Sequence, residues 1–278
     1  MKALLVMNLA GFLTFLWNDI STLQDMGYEV SVAMNGLMPD GTDAAEIAKL
    51  DEKGIRHYQI DFDSKNPLTI TNWIAYLQLK EVLKNQYDVI HCHTPITGIL
   101  TRMAAVRYRK KGTVVIYTTH GFAFTDRSSK PTWMIYYTLE SFMSHYCDAI
   151  ITINHEDFYN AKKMHCKKVF LIPSVGVDNK KFQNTHINRD TYRKQFGVSK
   201  TDVMILAVGE LSPRKNQQII IKALSLLPDR ERYVFVVCGR VVVDSKMEQE
   251  LKKLANELNI RVCFAGHRYD IPEVNICA

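Results

Sequence analysis

Two adjacent cations, Arg214 and Lys215, stand where an apolar run ends in glycine and a helical pattern begins, in Leu206-Ala-Val-Gly209-Glu210-Leu-Ser212-Pro213-Arg214-Lys215-Asn216. Read as a strand breaking into a loop that opens a helix, the segment puts Ser212 at the N-cap and Pro213 at the first helical position. Cationic side chains oppose the macrodipole at a helix N-terminus, so local stability does not account for them, whereas a diphosphate would meet both cations and free backbone amides. A solvated basic turn is the alternative. A second constellation, Ile116-Tyr-Thr-Thr-His120-Gly121, sets a histidine and a glycine just past the carboxyl end of an apolar run, where open α/β sheets bind ligands. An imidazole there can bond a hydroxyl or carry a proton near neutral pH, and the glycine lets a ligand come close; a loop histidine held by backbone groups is the alternative. Gly11 follows the first apolar run, where amides can approach an anion, although a tight strand-to-helix turn also calls for glycine. His91 and His93 flank Cys92, so alternation sends both to one face of a strand, and His93, nearer the tip, borders the ligand cleft. No carboxylate or third histidine lies at a ligand-like spacing from them, so no metal site is expected.

The elements that must position these residues follow from apolar periodicity. Strands are expected at Lys2–Met7, Glu29–Met34, Arg56–Ile60, Val89–Cys92, Thr113–Thr118, Ala149–Ile153 and Val169–Ile172, then at Met204–Val208, Tyr233–Cys238 and Val262–Phe264. Many are apolar on consecutive residues, as in a parallel sheet covered by helices on both faces. Ile70, Trp73, Ile74 and Leu77 fall at helical spacing, as do Met247, Leu251, Leu254, Ala255 and Leu258, and both sets read as core-facing stripes. The alternation predicts an α/β fold of two doubly wound parallel-sheet domains. The polar stretch from Asn179 to Asp190 marks the junction, giving domains of 1–185 and 186–278, the second incomplete with three strands.

Composition narrows the classes. The chain has 278 residues, 47% hydrophobic and 23% charged, with a formal net charge of +6. That is globular rather than disordered, and the scattered basic residues argue against a nucleic-acid binder. Six cysteines without a C-x-x-C pair read as reduced, buried thiols of a cytosolic protein. Lys2 and the apolar Ala3 to Trp17 resemble the start of a signal peptide, but Asn8 interrupts the run, no small-x-small cleavage site precedes Asp19, and the run falls short of about 20 residues. It reads instead as a buried strand entering a helix. Arg107-Tyr-Arg-Lys-Lys111 ends the helix that begins near Ile96 with charge favourable to its dipole. The rival reading is contact with anionic lipid headgroups, helped by Trp133, Met134, Tyr136 and Tyr137 if they are exposed. Glu140, on that aromatic helix, has no assigned partner.

Taken together, Gly11-Phe12, Ile90-His-Cys-His-Thr94, Tyr117-Thr-Thr-His-Gly-Phe122, Ile151-Thr-Ile-Asn-His-Glu-Asp157, Ile172-Pro-Ser-Val-Gly-Val-Asp178 and Val208-Gly-Glu-Leu-Ser-Pro-Arg-Lys-Asn216 resemble family 4 glycosyltransferases of the bacterial capsular and exopolysaccharide branch. The resemblance implies a GT-B fold with an acceptor-binding N-terminal domain, a donor-binding C-terminal domain and a cleft between them. It implies retaining, metal-independent transfer from a nucleoside diphosphate sugar to a lipid-linked glycan or polysaccharide at the inner face of the cytoplasmic membrane, with no cofactor. It puts His120 beside the reacting sugar and the Gly11 and Phe12 amides toward the diphosphate; His120, Arg214 and Lys215 are expected to act in catalysis, and His93, Gly121, Gly209, Glu210 and Asn216 to contact substrate. Glu210 stands where many relatives carry arginine, so Arg214 is expected to supply part of that charge. The family's E-x7-E glutamate pair is absent from these residues, which suggests truncation, with poor donor binding and slow turnover. Two other readings stay open, a nucleotide-sugar 2-epimerase and a non-catalytic sugar-nucleotide-binding remnant. A Rossmann oxidoreductase is disfavoured, because no G-x-G-x-x-G follows a strand.

Overall fold

The computed structural model describes residues 1–37, 44–63, 69–176, 179–183, 185–239 and 246–278. Val177 and Asp178, which end the Ile172–Asp178 motif, and Asn184 of the expected junction lie outside them. The chain forms two compact units, Met1–Gly176 and Val177–Ala278. In the first, β1 (Lys2–Leu9) passes through a 3-10 turn (Ala10–Phe15) into α1 (Trp17–Asp25), followed by β2 (Glu29–Asn35), α2 (Ala45–Glu52) and β3 (Arg56–Gln59). Then come α3 (Ile70–Leu83), β4 (Val89–His93), α4 (Pro95–Arg109), β5 (Val114–Thr119), α5 (Lys130–Met143), β6 (Ala149–Thr152), α6 (His155–Lys162) and β7 (Val169–Leu171).

All seven strands are parallel, in the order β3-β2-β1-β4-β5-β6-β7. The stretch that resembled a signal peptide begins as β1, a central strand with Ala3 to Met7 buried. Leu4 and Val6 pack on the side of α3 and α4, while Ala3, Leu5 and Met7 pack on the side of α1 and α2. Burial on both faces explains why the run is apolar throughout rather than alternating.

One expected stripe faces the wrong way. Ile70, Trp73, Ile74 and Leu77 of α3 are 80%, 61%, 44% and 46% exposed, and the helix turns Asn72, Ala75, Leu79, Val82 and Leu83 inward instead. α3 is apolar on both sides, so periodicity offered two candidate faces. Asn72 can be buried because its side chain clasps the backbone of Asp63, accepting from its N–H and donating to its carbonyl, both at 3.0 Å. The aromatic helix also differs from expectation. Trp133 and Tyr137 of α5 stack at 4.5 Å and both meet Phe124 edge-on, so they and Tyr136 are part-buried, and only Met134 of that quartet is well exposed.

The unassigned Glu140 is buried in an ion pair. Arg102 of α4 donates to it at 2.7 Å, gives its Nε–H to the Gly98 carbonyl at 2.9 Å and lies 4.1 Å from the centroid of the Tyr117 ring, whose hydroxyl donates to Glu140 at 3.3 Å. Gly98 permits the approach of α4 to β5, since a Cβ there would fall 2.5 Å from the Tyr117 ring.

The second unit runs α7 (Asn179–Gln183), α8 (Arg189–Lys194), β8 (Val203–Val208), α9 (Gln218–Leu224), β9 (Tyr233–Cys238), α10 (Met247–Glu257), β10 (Arg261–Gly266) and α11 (Ile271–Cys277). Its sheet is parallel, ordered β10-β9-β8. Here the expected stripe holds, with Leu251 and Ala255 of α10 buried against Phe235 and Val237. α7, in the stretch expected to close the first domain, packs on α11 of the second unit. Glu140→Ala is expected to destabilise the first unit by about 3–5 kcal/mol, because it strands the Arg102 charge in the core. Much of that loss returns in the double variant Arg102→Met with Glu140→Leu, and urea unfolding of the three proteins measures both effects.

Candidate functional site

In the first unit the order of strands reverses between β1, which continues to β2 and β3, and β4, which continues to β5, β6 and β7. The loops leaving such a pair diverge and open a crevice at the carboxyl edge. Three segments converge on it: the 3-10 turn after β1 with Gly11 and Phe12, the end of β4 with His91 and His93, and the end of β5 with Thr118, His120 and Gly121. His93 Nδ1 and His120 Nε2 share a hydrogen bond of 3.1 Å, Phe12 meets the His120 ring edge-on with centroids 4.6 Å apart, and His91 Nε2 lies 2.7 Å from Thr118 Oγ1. Nothing lies within 4 Å of where a Cβ on Gly11 or Gly121 would be, and Gly121 has φ +121°, a conformation that favours glycine.

His93 does not border open space as expected. It is 0% exposed, because β4 is flanked by β1 and β5, and its ring supports His120, which is only part-buried. The next residue, Thr94, is held at φ 64° and ψ 151°, a region almost reserved for glycine, and leads directly into Pro95 at the start of α4. Such strain persists only where the surroundings over-determine it, commonly beside a ligand. Burial and the neighbouring His120 hold His91 down to about 4, burial alone holds His120 down to about 4, and burial followed by the two other histidines pushes His93 well below its ordinary value. At neutral pH all three rings are therefore uncharged.

In the second unit, Gly209 and Gly239 end β8 and β9 in close backbone contact. A Cβ on Gly239 would fall 1.8 Å from the Gly209 carbonyl oxygen, so glycine alone fits there. Gly209 itself has φ +148°, and the Lys215 side chain lies over it, its Cε 3.5 Å from where a Cβ would be. Gly209, Glu210, Cys238, Gly239, His267 and Arg268 line a 240 Å³ pocket at these strand ends.

The loop differs from the expected helix start. α9 begins at Gln218, and Pro213 to Lys215 form a turn before it. Ser212 caps that turn, accepting from the Lys215 N–H at 3.3 Å and donating to Glu210 Oε1 at 3.0 Å. Arg214 pairs with the same oxygen at 3.1 Å, which with Ser212 holds the Glu210 carboxyl below its usual range. The Arg214 charge thus has an ion-pair partner, while Lys215 forms no ion pair among the described residues and acts on Glu210 only at longer range. Asn216 takes φ +51° and keeps a buried Oδ1 without a partner.

Sequence reading missed Asp19, Thr94 and Thr118 in the first unit, and Gly239, His267 and Arg268 in the second. Gly239 was findable, since it ends an apolar run as Gly209 does. Asp19 carried no such signal, because only the packing of α1 brings it to β4.

Two units of parallel strands, each with its candidate residues beyond the carboxyl ends, have the architecture of a GT-B fold. The chain belongs to glycosyltransferase family 4: that family matches residues 14–175, and the family described as glycosyl transferases group 1 matches 188–275. EpsD of Bacillus subtilis (strain 168), an inferred glycosyltransferase, is 34% identical over 90% of this chain and 64% of its own length. A UDP-Gal:alpha-D-GlcNAc-diphosphoundecaprenol alpha-1,3-galactosyltransferase of Escherichia coli is 30% identical over 80% of this chain and 58% of its own. The chain therefore spans less than two thirds of these relatives. Among solved structures, WaaG, a glycosyltransferase involved in lipopolysaccharide biosynthesis, superposes with a TM-score of 0.66 at 17% identity, covering 100% of this chain and 73% of that one. A UDP-N-acetylglucosamine 2-epimerase superposes with 0.63 at 15% identity over 98% and 69% of the two chains. At such identities the likeness concerns the fold.

The His120 imidazole is expected to titrate near pH 4 rather than near about 6.5, as read from its NMR shifts. Because unfolded histidines take up protons first, these depressed values mean stability is lost as pH falls through that window. The thermal midpoint should drop on acidification, and less steeply in His120→Asn.

Proposed function

We propose that the protein transfers a hexosyl unit, with retention of configuration, from a nucleoside diphosphate sugar to a lipid-linked or growing polysaccharide acceptor in cell-surface polysaccharide synthesis. The observation that carries the donor side is Lys215. Its ammonium group forms no ion pair among the described residues and lies over Gly209, which with Arg268 lines the pocket at these strand ends. A diphosphate bound there gains charge-assisted contacts, and the leaving-group charge is met by protein cations and amides without a metal. Gly209, Glu210 and Asn216 shape that loop, and Arg214 adds charge moderated by Glu210. On the acceptor side, neutral His120 bonds a hydroxyl of the reacting sugar beside the open faces of Gly11, Phe12 and Gly121, where an oxocarbenium-like transition state develops.

The lipid-linked acceptor is supported by the outer layer of α3 to α5. Ile70, Trp73, Ile74, Leu77, Met103, Met134 and Ile135 are exposed there, and an apolar groove of 390 Å³ runs between Trp73, Tyr76, Ile99, Leu100, Met103 and Leu139. The exposed charges of these helices and their C-terminal ends are Lys80, Lys84, Arg107, Lys110, Lys111 and Lys130 against Glu81 alone. An apolar face on helices whose exposed charges are mainly cationic suits the anionic inner surface of a cytoplasmic membrane, and the Escherichia coli relative is named for a diphosphoundecaprenol acceptor. Among the described residues no helix is long and apolar enough to cross a membrane. The activity is proposed for a chain of the relatives' length.

In a full-length protein, Lys215→Ala should weaken nucleoside diphosphate binding about 10- to 100-fold, the worth of one charge-assisted contact, and Arg214→Ala should weaken it less. Calorimetry with UDP, GDP and ADP checks this, and unchanged affinity in Lys215→Ala would sink the assigned role. Co-sedimentation with anionic vesicles should fall as salt rises and fall further in Trp73→Ser; equal binding to neutral vesicles at high salt would remove the membrane reading.

A further inference from the structure

We infer that Asp19, His91 and His93 form a binding site for a divalent transition-metal ion of the zinc class. One ligand atom from each of the three lies within 4.8 Å of the other two, with His93 buried and the others part-buried. The hydrogen bonds around them are those of imidazoles prepared to coordinate. Metal-ligating histidines use one ring nitrogen for the ion and give the other N–H to an oriented partner. His91 commits Nε2 to Thr118 Oγ1, which leaves Nδ1. His93 commits Nδ1 to His120, which leaves Nε2, and that nitrogen is fully buried without a partner.

A buried ring nitrogen left unpaired is costly unless something occupies its lone pair or proton. A carboxylate at the same spot supplies the charge a cation needs, and Asp19 makes no hydrogen bond or ion pair among the described residues. Two imidazoles and one carboxylate are a donor set that zinc and its neighbours accept, with water completing the coordination. Bonds of about 2.0–2.2 Å hold ligand atoms about 3.3 Å apart, so the group closes by on the order of 1 Å when it binds. Asp19 can supply that movement from its part-exposed place on α1.

Binding has a defined effect on the neighbouring ring. With His93 Nε2 on the ion, the His93 proton sits on Nδ1 and is donated to His120 Nε2, so His120 carries its own proton on Nδ1. The ion fixes one tautomer of His120; the site does not depend on the proposed transfer reaction.

The test is titration of the intact chain, kept reduced, with Zn²⁺ and with Co²⁺. One equivalent of either ion should bind at micromolar concentration, with visible Co²⁺ absorption of low-coordinate geometry. Asp19→Asn and His91→Gln should each weaken binding at least tenfold and abolish that absorption, and Thr118→Val should weaken it about 10- to 100-fold through the orientation of His91. His165→Gln, in the stacked His145–His165 pair at 3.8 Å, should change nothing. Circular dichroism confirms folding, and if His91→Gln is unfolded, Asp19→Asn decides. No binding by the folded parent at millimolar ion, or undiminished binding in Asp19→Asn, overturns the assignment.

Discussion

The reversal of strand order between β1 and β4 is the constraint on which the first unit depends. Parallel crossovers are right-handed, so moving outward from β1 to β3 puts α1 and α2 on one face of the sheet, and moving the other way, from β3 through α3 to β4 and on to β6, puts α3 to α5 on the opposite face. The chain has no freedom to cover the carboxyl ends of β1 and β4 with a tight connection, because the segments leaving them depart in opposite directions. Into that gap go the Gly11 turn, the His91 and His93 pair and the His120 tip. The burial that makes these rings neutral follows from the same place, at the middle of a seven-stranded sheet.

On the other face, α4 is locked by one buried charge pair. Arg102 is wholly desolvated and is compensated by Glu140, the Tyr117 ring and the Gly98 carbonyl, so α4, β5 and α5 are held in one register. The inner surface of the helical layer is thereby satisfied, and further apolar residues on the same helices must face outward. α3 carries this furthest, its inner face closed by Ala75 and Leu79 and its outer face still showing Trp73 and Ile74.

In the second unit a backbone contact plays the organising part. Gly209 and Gly239 touch where β8 and β9 end, their N–H groups given to the Cys238 and Gly266 carbonyls, and the Lys215 side chain lies over Gly209. Charge is then divided unequally within one short loop: Glu210 takes up Arg214 and is itself held by Ser212, while Lys215 stays available. Two cations that looked equivalent as neighbours in sequence differ because only one side chain returns to the carboxylate four residues before it.

The sequence by itself determined the ten parallel strands of the described residues, the two-unit α/β class and the strand tips at His93, His120 and Gly209. Apolar runs and glycine breaks are local signals, set by burial on both faces and by backbone freedom. It also carried the family motifs. What only the tertiary structure decided was which of two apolar faces of α3 packs inward, which residue satisfies Glu140, which cation stays unpaired and how Asp19 comes to lie beside His91 and His93. These depend on partners 38 residues apart for Arg102 and Glu140 and on a helix laid across the neighbouring strand. Side-chain periodicity reports that a face is apolar, but only packing reports what it meets.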